Sequence, residues 1–399
     1  MFKKHLDRQK NLQEKRRPVG WFWACFPAEL AYVFDIINIF PEQYCAYCAA
    51  KMKSTQLIDA AAENKYGGFM CDYFTCSVGS ILNSEIAPLG GHCGMKPNFI
   101  FDSRMCCYGH HAMSEVYSQL YGESLKRFVL DCPFWTKEKV GHVNQLTKIP
   151  EKIDKESFEY VIAQIWDFID FLEDITGNKF DEDRMNKVFE ISEKTSKNLI
   201  EIAKLMRSKP TPASQMEYRD FPLVGFYLDG AEYTLEFSER VKNMIMEKVK
   251  MKKGIIKEEK LRLMSHGIVP WHSELYKYYE ERGITFPLNP YVEGSFCYID
   301  SSRPFESMVR RSIIYTNSEA EVWIETLIKD ARLAEIDGAV LFENIGCRPV
   351  SLCLRRVKEA LWDELGLPSV IVDAPQCDPR KMPMERTLSK INAFIESLL

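Results

Sequence analysis

Thiols are the groups in this chain whose type and placement most suggest chemistry. There are 13 cysteines among 399 residues. That odd number is spread along a long chain, whereas disulfide frameworks belong to short secreted ones. The thiols are therefore expected to be reduced, and either packed as small hydrophobes or ligating zinc, copper(I) or an iron–sulfur cluster. Zinc modules are usually built from two close CxxC-type pairs. Here that separation occurs at Cys45 and Cys48, which share one face of an alanine-rich predicted helix and read as packing. The position of other thiols is more informative. PNFIFDSRM leads into Cys106-Cys107, and GAVLFENIG leads into Cys347. In both cases an apolar run, read as a buried strand, ends within a few residues of the thiol. Loops at the carboxyl ends of parallel strands line the crevice in which open α/β sheets bind ligands. A third candidate stretch is CDYFTCSVG, with Cys71 and Cys76.

Other polar groups supplement the thiols. Glu42, in FPEQYCAYCAAK, stands at a predicted helix start, where the dipole favours an anion; it is either a functional carboxylate or a first-turn capping acid. His110-His111 follow the Cys106-Cys107 loop, and His266 follows a strand in LRLMSHGIVP. Each is a candidate acid or donor to an anionic oxygen, or a histidine that merely caps a loop. No GxxxxGK[ST] and no strand-linked GxGxxG occurs, so ATP hydrolysis and dinucleotide binding by those routes are not expected. PLGGHCG (88–94) reads as a surface turn.

The elements that must position these groups fall into three regions. Residues 1–148 read as an N-terminal α/β domain, with strands at 97–103 and 127–133 and a helix over 42–63 ending near Gly67-Gly68. Residues 149–257 read as a helical scaffold. Phe158, Ile162, Ile165, Ile169 and Leu172 form an apolar stripe stopped by Gly177, and a second helix capped by Asp181 or Asp183 runs to Leu205. Residues 258–399 return to α/β, with strands in LRLMSHGIVP, at 338–344 and at 369–374, and helices in SELYKYYEERG and over 317–335, 350–365 and 384–398. The expected class is α/β, two Rossmann- or flavodoxin-like parallel-sheet domains joined by a helical segment. The net charge of −5 gives no basic field for nucleic acid. The basic run at the N-terminus reads as a solvated helix. Residues 21–40 carry Pro27, Glu29, Asp35 and Asn38, which argues for a buried loop–helix–turn and against a membrane span. A cytoplasmic location is expected.

With these residues in view, the chain resembles the family of 2-hydroxyacyl-CoA dehydratases and benzoyl-CoA reductases, most clearly over 18–135 and 258–399. The resemblance rests on the order and spacing of PVGWFWACFPAEL, FPEQYCAYCAAK, the C-D-Y of CDYFTCSVG, KPNFIFDSRMCC, DGAVLFENIGC and ELGLPSVIVD. It implies a [4Fe–4S] cluster held by Cys71, one of Cys106 and Cys107 (Cys106 being favoured) and Cys347. It also implies that Glu42 acts on an acyl-CoA substrate. A homologous second subunit would complete a heterodimer, and a separate ATP-hydrolysing iron–sulfur activator would inject an electron. The expected reaction is loss of water from an (R)-2-hydroxyacyl-CoA through a ketyl radical. The alternatives are a benzoyl-CoA-type reductase subunit, a double-cubane cluster reductase that uses the extra thiols, and a non-catalytic electron-relay subunit. Two departures bear on the substrate. Trp-Ala-Cys-Phe stands at 23–26, where the family often has a small hydroxyl residue, and Arg-Met-Cys-Cys-Tyr surrounds the second cysteine.

Overall fold

Apolar runs of three to seven residues become strands in two separate sheets. The computed structural model describes the whole chain except residues 25–26, 68–69, 105–106, 145, 219–220 and 314–316. The first sheet contains β1 (Val19–Trp21), β2 (Ile37–Ile39), β3 (Phe99–Ser103) and β4 (Lys126–Leu130), in the order β2-β1-β3-β4. The second contains β5 (Leu261–His266), β6 (Ile284–Leu288), β7 (Gly338–Asn344) and β8 (Ser369–Ala374), in the order β6-β5-β7-β8. Every pairing is parallel. The α/β class with two parallel sheets is thus what the chain adopts, and the two sheets share one strand order counted from each first strand. β3, β5 and β6 are buried along their whole length. Burial on both faces is why none of them shows the apolar–polar alternation of a half-exposed strand.

Where strand order reverses, between β1 and β3 and again between β5 and β7, the connections leave on opposite sides and open a crevice at the strands' carboxyl ends. The helices are set by local signals. Lys155–Thr176 begins where the Asp154 side chain accepts from Ser157 N at 3.0 Å and ends at left-handed Gly177. Glu182–Met206 is capped by Asp181, which accepts from Arg184 N at 2.9 Å. Together with Glu232–Lys250 these fill the middle of the chain. Phe168, Ile165 and Phe189 share a core with Phe99 and Phe101 of β3.

Several expectations are corrected. Residues 21–40 do contain a helix, α2 (Ala28–Val33), but it lies between β1 and β2, strands of three residues each that are too short to show a pattern. The helix expected over 42–63 is two, α3 (Pro41–Ala50) and α4 (Ser54–Glu63), broken where Met52 adopts φ +56°. The expected stop at Gly67-Gly68 falls partly outside the described residues. The N-terminal helix α1 (Phe2–Glu14) is not wholly solvated: His5, Gln9 and Leu12 are buried, and His5 Nδ1 lies 2.8 Å from the Tyr233 hydroxyl. The 88–94 turn lies at the surface, with Leu89, Gly90 and Gly94 exposed, but one of its side chains goes inward. His92 is buried among Trp21, Tyr44 and Tyr117, with Nε2 2.9 Å from Ser77 Oγ.

Buried ion pairs tie the parts of the chain together. Arg311 donates to both carboxylate oxygens of Glu29 at 2.8 Å and to Asp229 at 3.2 Å. Arg207 donates to Glu293 at 2.6 Å and to Asp330 at 2.7 Å. Among the described residues no helix is long and apolar enough to cross a membrane.

Candidate functional site

The two crevices open into one cavity of about 510 Å³. Ala24, beyond β1, and Arg104 and Cys107, beyond β3, line one side. Ile268 and Val269, beyond β5, and Gly346 and Cys347, beyond β7, line the other. Cys71 enters from a third direction at the start of α5 (Asp72–Leu82).

Each of these three thiols sits at a helix N-cap. Cys71 caps α5, Cys107 caps α6 (Tyr108–Tyr121), and Cys347 precedes the turn Arg348–Ser351. The Cys107 sulfur accepts from Gly109 N at 3.2 Å. The loops are packed against each other. At Gly346, with φ +89°, a Cβ would lie 3.1 Å from the Cys71 Cα, so glycine is required both by conformation and by the close approach of the Cys71 backbone. The start of α5 is anchored to the loop after β8. Asp72 N donates to Gln376 Oε1 at 3.2 Å, Asp72 Oδ2 accepts from Asp378 N at 3.2 Å, and Lys381 Nζ donates to Asp72 Oδ1. Burial pushes the Cys71 thiol up to about 11. The amides of Phe74 and Tyr73 oppose this, while the Glu42 and Asp72 carboxylates add to it. A thiol held this high keeps its proton in neutral water.

Glu42 lies in the first turn of α3 and faces the same cavity. Its Oε2 accepts from Ala24 N at 3.1 Å and lies 3.5 Å from the Tyr227 hydroxyl, and its Oε1 is 2.9 Å from His110 Nε2. Burial raises its proton affinity, but His110, the Ala24 amide and Tyr227 outweigh this, so the carboxyl titrates below its usual range. With the carboxylate charged, the bond to His110 requires the proton on Nε2. The His110 ring stacks on Trp23, with centroids 5.1 Å apart and planes 9° from parallel. It is thereby fixed in orientation.

Of the residues singled out in the sequence, Glu42, Cys71, Cys107 and Cys347 gather here. Cys106 lies outside the described residues. His266 does not join them. It ends β5 facing a separate cavity of about 50 Å³ and stacks on Trp323 with centroids 5.4 Å apart. Burial lowers its pKa to about 4. Cys76 also stands apart, in a buried cluster with Cys45, Cys48 and Cys377. Among the described residues no group of three or more His, Cys, Asp or Glu is placed to hold a metal ion. What the three cavity thiols offer a larger cluster is their approach from three loops, two of them, those of Cys71 and Cys107, at the N-termini of helices that favour negative charge. Sequence reading did not assign Tyr227, Trp271 or Tyr291 to the site. Tyr227 and Phe226 come from Pro222–Tyr227, inside the region read as scaffold, so that region also forms cavity wall.

Two like-ordered parallel sheets whose crevices share one thiol-lined cavity define the structural class. The chain belongs to the 2-hydroxyglutaryl-CoA dehydratase D-component family, whose model matches residues 24–398. It is similar to the (R)-phenyllactyl-CoA dehydratase alpha subunit of Clostridium sporogenes, with 25% identity over 97% of this chain and 91% of the relative. The beta subunit of that enzyme is 22% identical over 60% of this chain and 64% of its own length. One of the subunits of benzoyl-CoA reductase from Thauera aromatica is 22% identical over 92% of this chain and 85% of its own length.

Proposed function

We propose that the protein is the cluster-bearing subunit of a 2-hydroxyacyl-CoA dehydratase. The observation that carries this reading is the opening of both sheet crevices onto one cavity that presents three thiols and the Glu42–His110 pair. Cys71, Cys347 and one member of the Cys106–Cys107 doublet would hold a [4Fe–4S] cluster. When bound, such a cluster supplies single electrons and an iron able to act as a Lewis acid.

The chain's own residues do the remainder. Glu42 Oε1 exchanges a proton with the substrate, acting as base in its charged form and as acid once protonated. His110 Nε2 holds that carboxylate in place and stabilises its charge. The Ala24 amide fixes the second oxygen, leaving the carboxylate little freedom to turn. Apolar walls at Phe226, Val269 and Val292 exclude water from the reacting thioester.

The likeness to both an alpha and a beta subunit supports pairing with a homologous second subunit, and the acyl-CoA in the relatives' names supports an acyl-CoA substrate; a separate ATP-hydrolysing iron–sulfur activator, which the family resemblance implies, would supply the electron. The likeness to a benzoyl-CoA reductase subunit supports a second reading, electron delivery to an aromatic acyl-CoA with no loss of water. Iron and acid-labile sulfide analysis of anaerobically prepared protein tests the cluster. About four irons per chain are expected, about eight would indicate a double cubane, and none defeats the reading. Glu42→Gln should keep the iron and lower dehydration of 2-hydroxyacyl-CoA by about 10²-fold or more. Unchanged turnover would reduce this chain's role to electron relay.

A further inference from the structure

The cavity's polar and apolar groups are unevenly arranged. Arg104 and Arg348, its arginines among the described residues, stand exposed at the rim beside Tyr108 and Leu352, which are 73% and 76% accessible. The deeper lining is mainly apolar and aromatic: Met113, Phe226, Ile268, Val269 and Val292 are buried, and Trp271 and Tyr291 half-buried; its polar members include the neutral amides of buried Gln376 and half-buried Gln43, which supply no cation. Glu42 is the carboxylate on this lining, with His110 already bonded to it.

From this we infer that the acyl group taken by the cavity is bulky and apolar, branched or aromatic, with no second carboxylate. The inference rests on the dehydratase reading. The rim arginines suit the phosphates of coenzyme A. A second carboxylate on the acyl chain would enter the apolar end and meet the Glu42 charge there, with the arginines left at the rim. Burial of such a charge without a cation is strongly unfavourable. A small acyl group such as lactoyl would leave the aromatic walls in contact with water. At about 510 Å³, the cavity has room for a cluster together with a branched or phenyl side chain.

The test uses the anaerobic complex of this chain with its second subunit and no activator, so that binding is read without turnover. Calorimetric titration with (R)-phenyllactyl-CoA, (R)-2-hydroxyisocaproyl-CoA, lactoyl-CoA and (R)-2-hydroxyglutaryl-CoA gives the order of affinities. At least one of the first two should bind about tenfold or more tighter than each of the last two. Equal or tighter binding of hydroxyglutaryl-CoA overturns the inference, and lactoyl-CoA as the tightest ligand overturns it on size. Either result leaves the dehydratase reading standing, provided that about four irons are present. No binding of any thioester to iron-loaded protein overturns the dehydratase reading along with the inference. Phe226→Ala should weaken the bulky ligands about tenfold and leave hydroxyglutaryl-CoA unchanged. Because Phe226 also packs on Ala24, Ala46→Leu on the half-buried wall gives an independent check: it should shift preference towards lactoyl-CoA with iron content kept. No shift in either folded variant counts against the inference.

Discussion

At the scale of single residues, the Glu42 carboxylate is held between opposing influences. Burial favours its neutral form, and His110, the Ala24 amide and the Tyr227 hydroxyl together favour the anion. Replacing His110 by Gln removes the largest favourable contribution while allowing a hydrogen bond to remain. The carboxyl pKa then rises, so the acidic limb of kcat/KM against pH should move to higher pH. A limb that stays in place with iron content unchanged would mean that His110 only packs. The thiols separate in the same way. Cys71→Ala should lose the bulk of the iron, whereas Cys48→Ala, in the buried group with Cys45, Cys76 and Cys377, should keep it; iron loss in the second variant would mark that group as a ligand set. Within this buried group the Cys377, Cys45 and Cys48 thiols hydrogen-bond to Cys76, which lowers its pKa although burial opposes this. How legible these residues were depended on their surroundings. Cys347 and the Cys106–Cys107 doublet follow obvious buried strands. The partner of Glu42 could not be read, because the bond to His110 joins residues 68 apart in the chain. His266 is the last residue of β5 and faces Trp323; the chain then turns at Gly267, with φ +100°, and the cavity is reached by Ile268 beyond that turn.

At the scale of elements, strand ends and helix starts build the site, and their approach depends on Gly346. A side chain there would have to adopt φ +89° and would meet the Cys71 backbone at 3.1 Å. Gly346→Ala is expected to cost about 1–3 kcal/mol from backbone strain and to lower iron content by separating the Cys347 loop from Cys71. A denaturant midpoint together with an iron assay checks both, and wild-type iron would show that the loops reach the cluster independently. The longer elements were legible. β3 and β7 begin as apolar runs, and the helices Lys155–Thr176 and Glu182–Met206 carry both a periodic apolar face and an acidic cap. β1 and β2 were not, because three residues hold too few alternations to define a period. β6 contains Pro287, a residue that argues against a strand at the sequence level, and it lies at the edge of its sheet, where proline is tolerated.

At the scale of the whole molecule, stability should depend on pH through buried histidines that remain neutral. Burial, with Arg8 adding to it, lowers His5 to about 3. Burial also lowers His92 to about 3, partly opposed by Cys76, and His266 to about 4. In the unfolded chain each titrates near its ordinary value of 6.5, so between about pH 6.5 and 4 the unfolded state binds more protons than the folded one. Unfolding free energy therefore falls as pH falls through this window, each histidine contributing a slope of up to about 1.4 kcal/mol per pH unit. Above pH 6.5 the contribution is fully present. The three lie in α1, against Trp21 of β1 and at the end of β5, so the loss should be felt across both ends of the chain and not at one site. Denaturant midpoints measured from pH 7.5 to 5 should decline. His5→Gln should reduce that decline by about one histidine's share even where it lowers stability at pH 7.5, because glutamine has no proton to take up. A midpoint independent of pH between 6.5 and 5 would show that these imidazoles are already protonated in the fold, contrary to the burial that surrounds them.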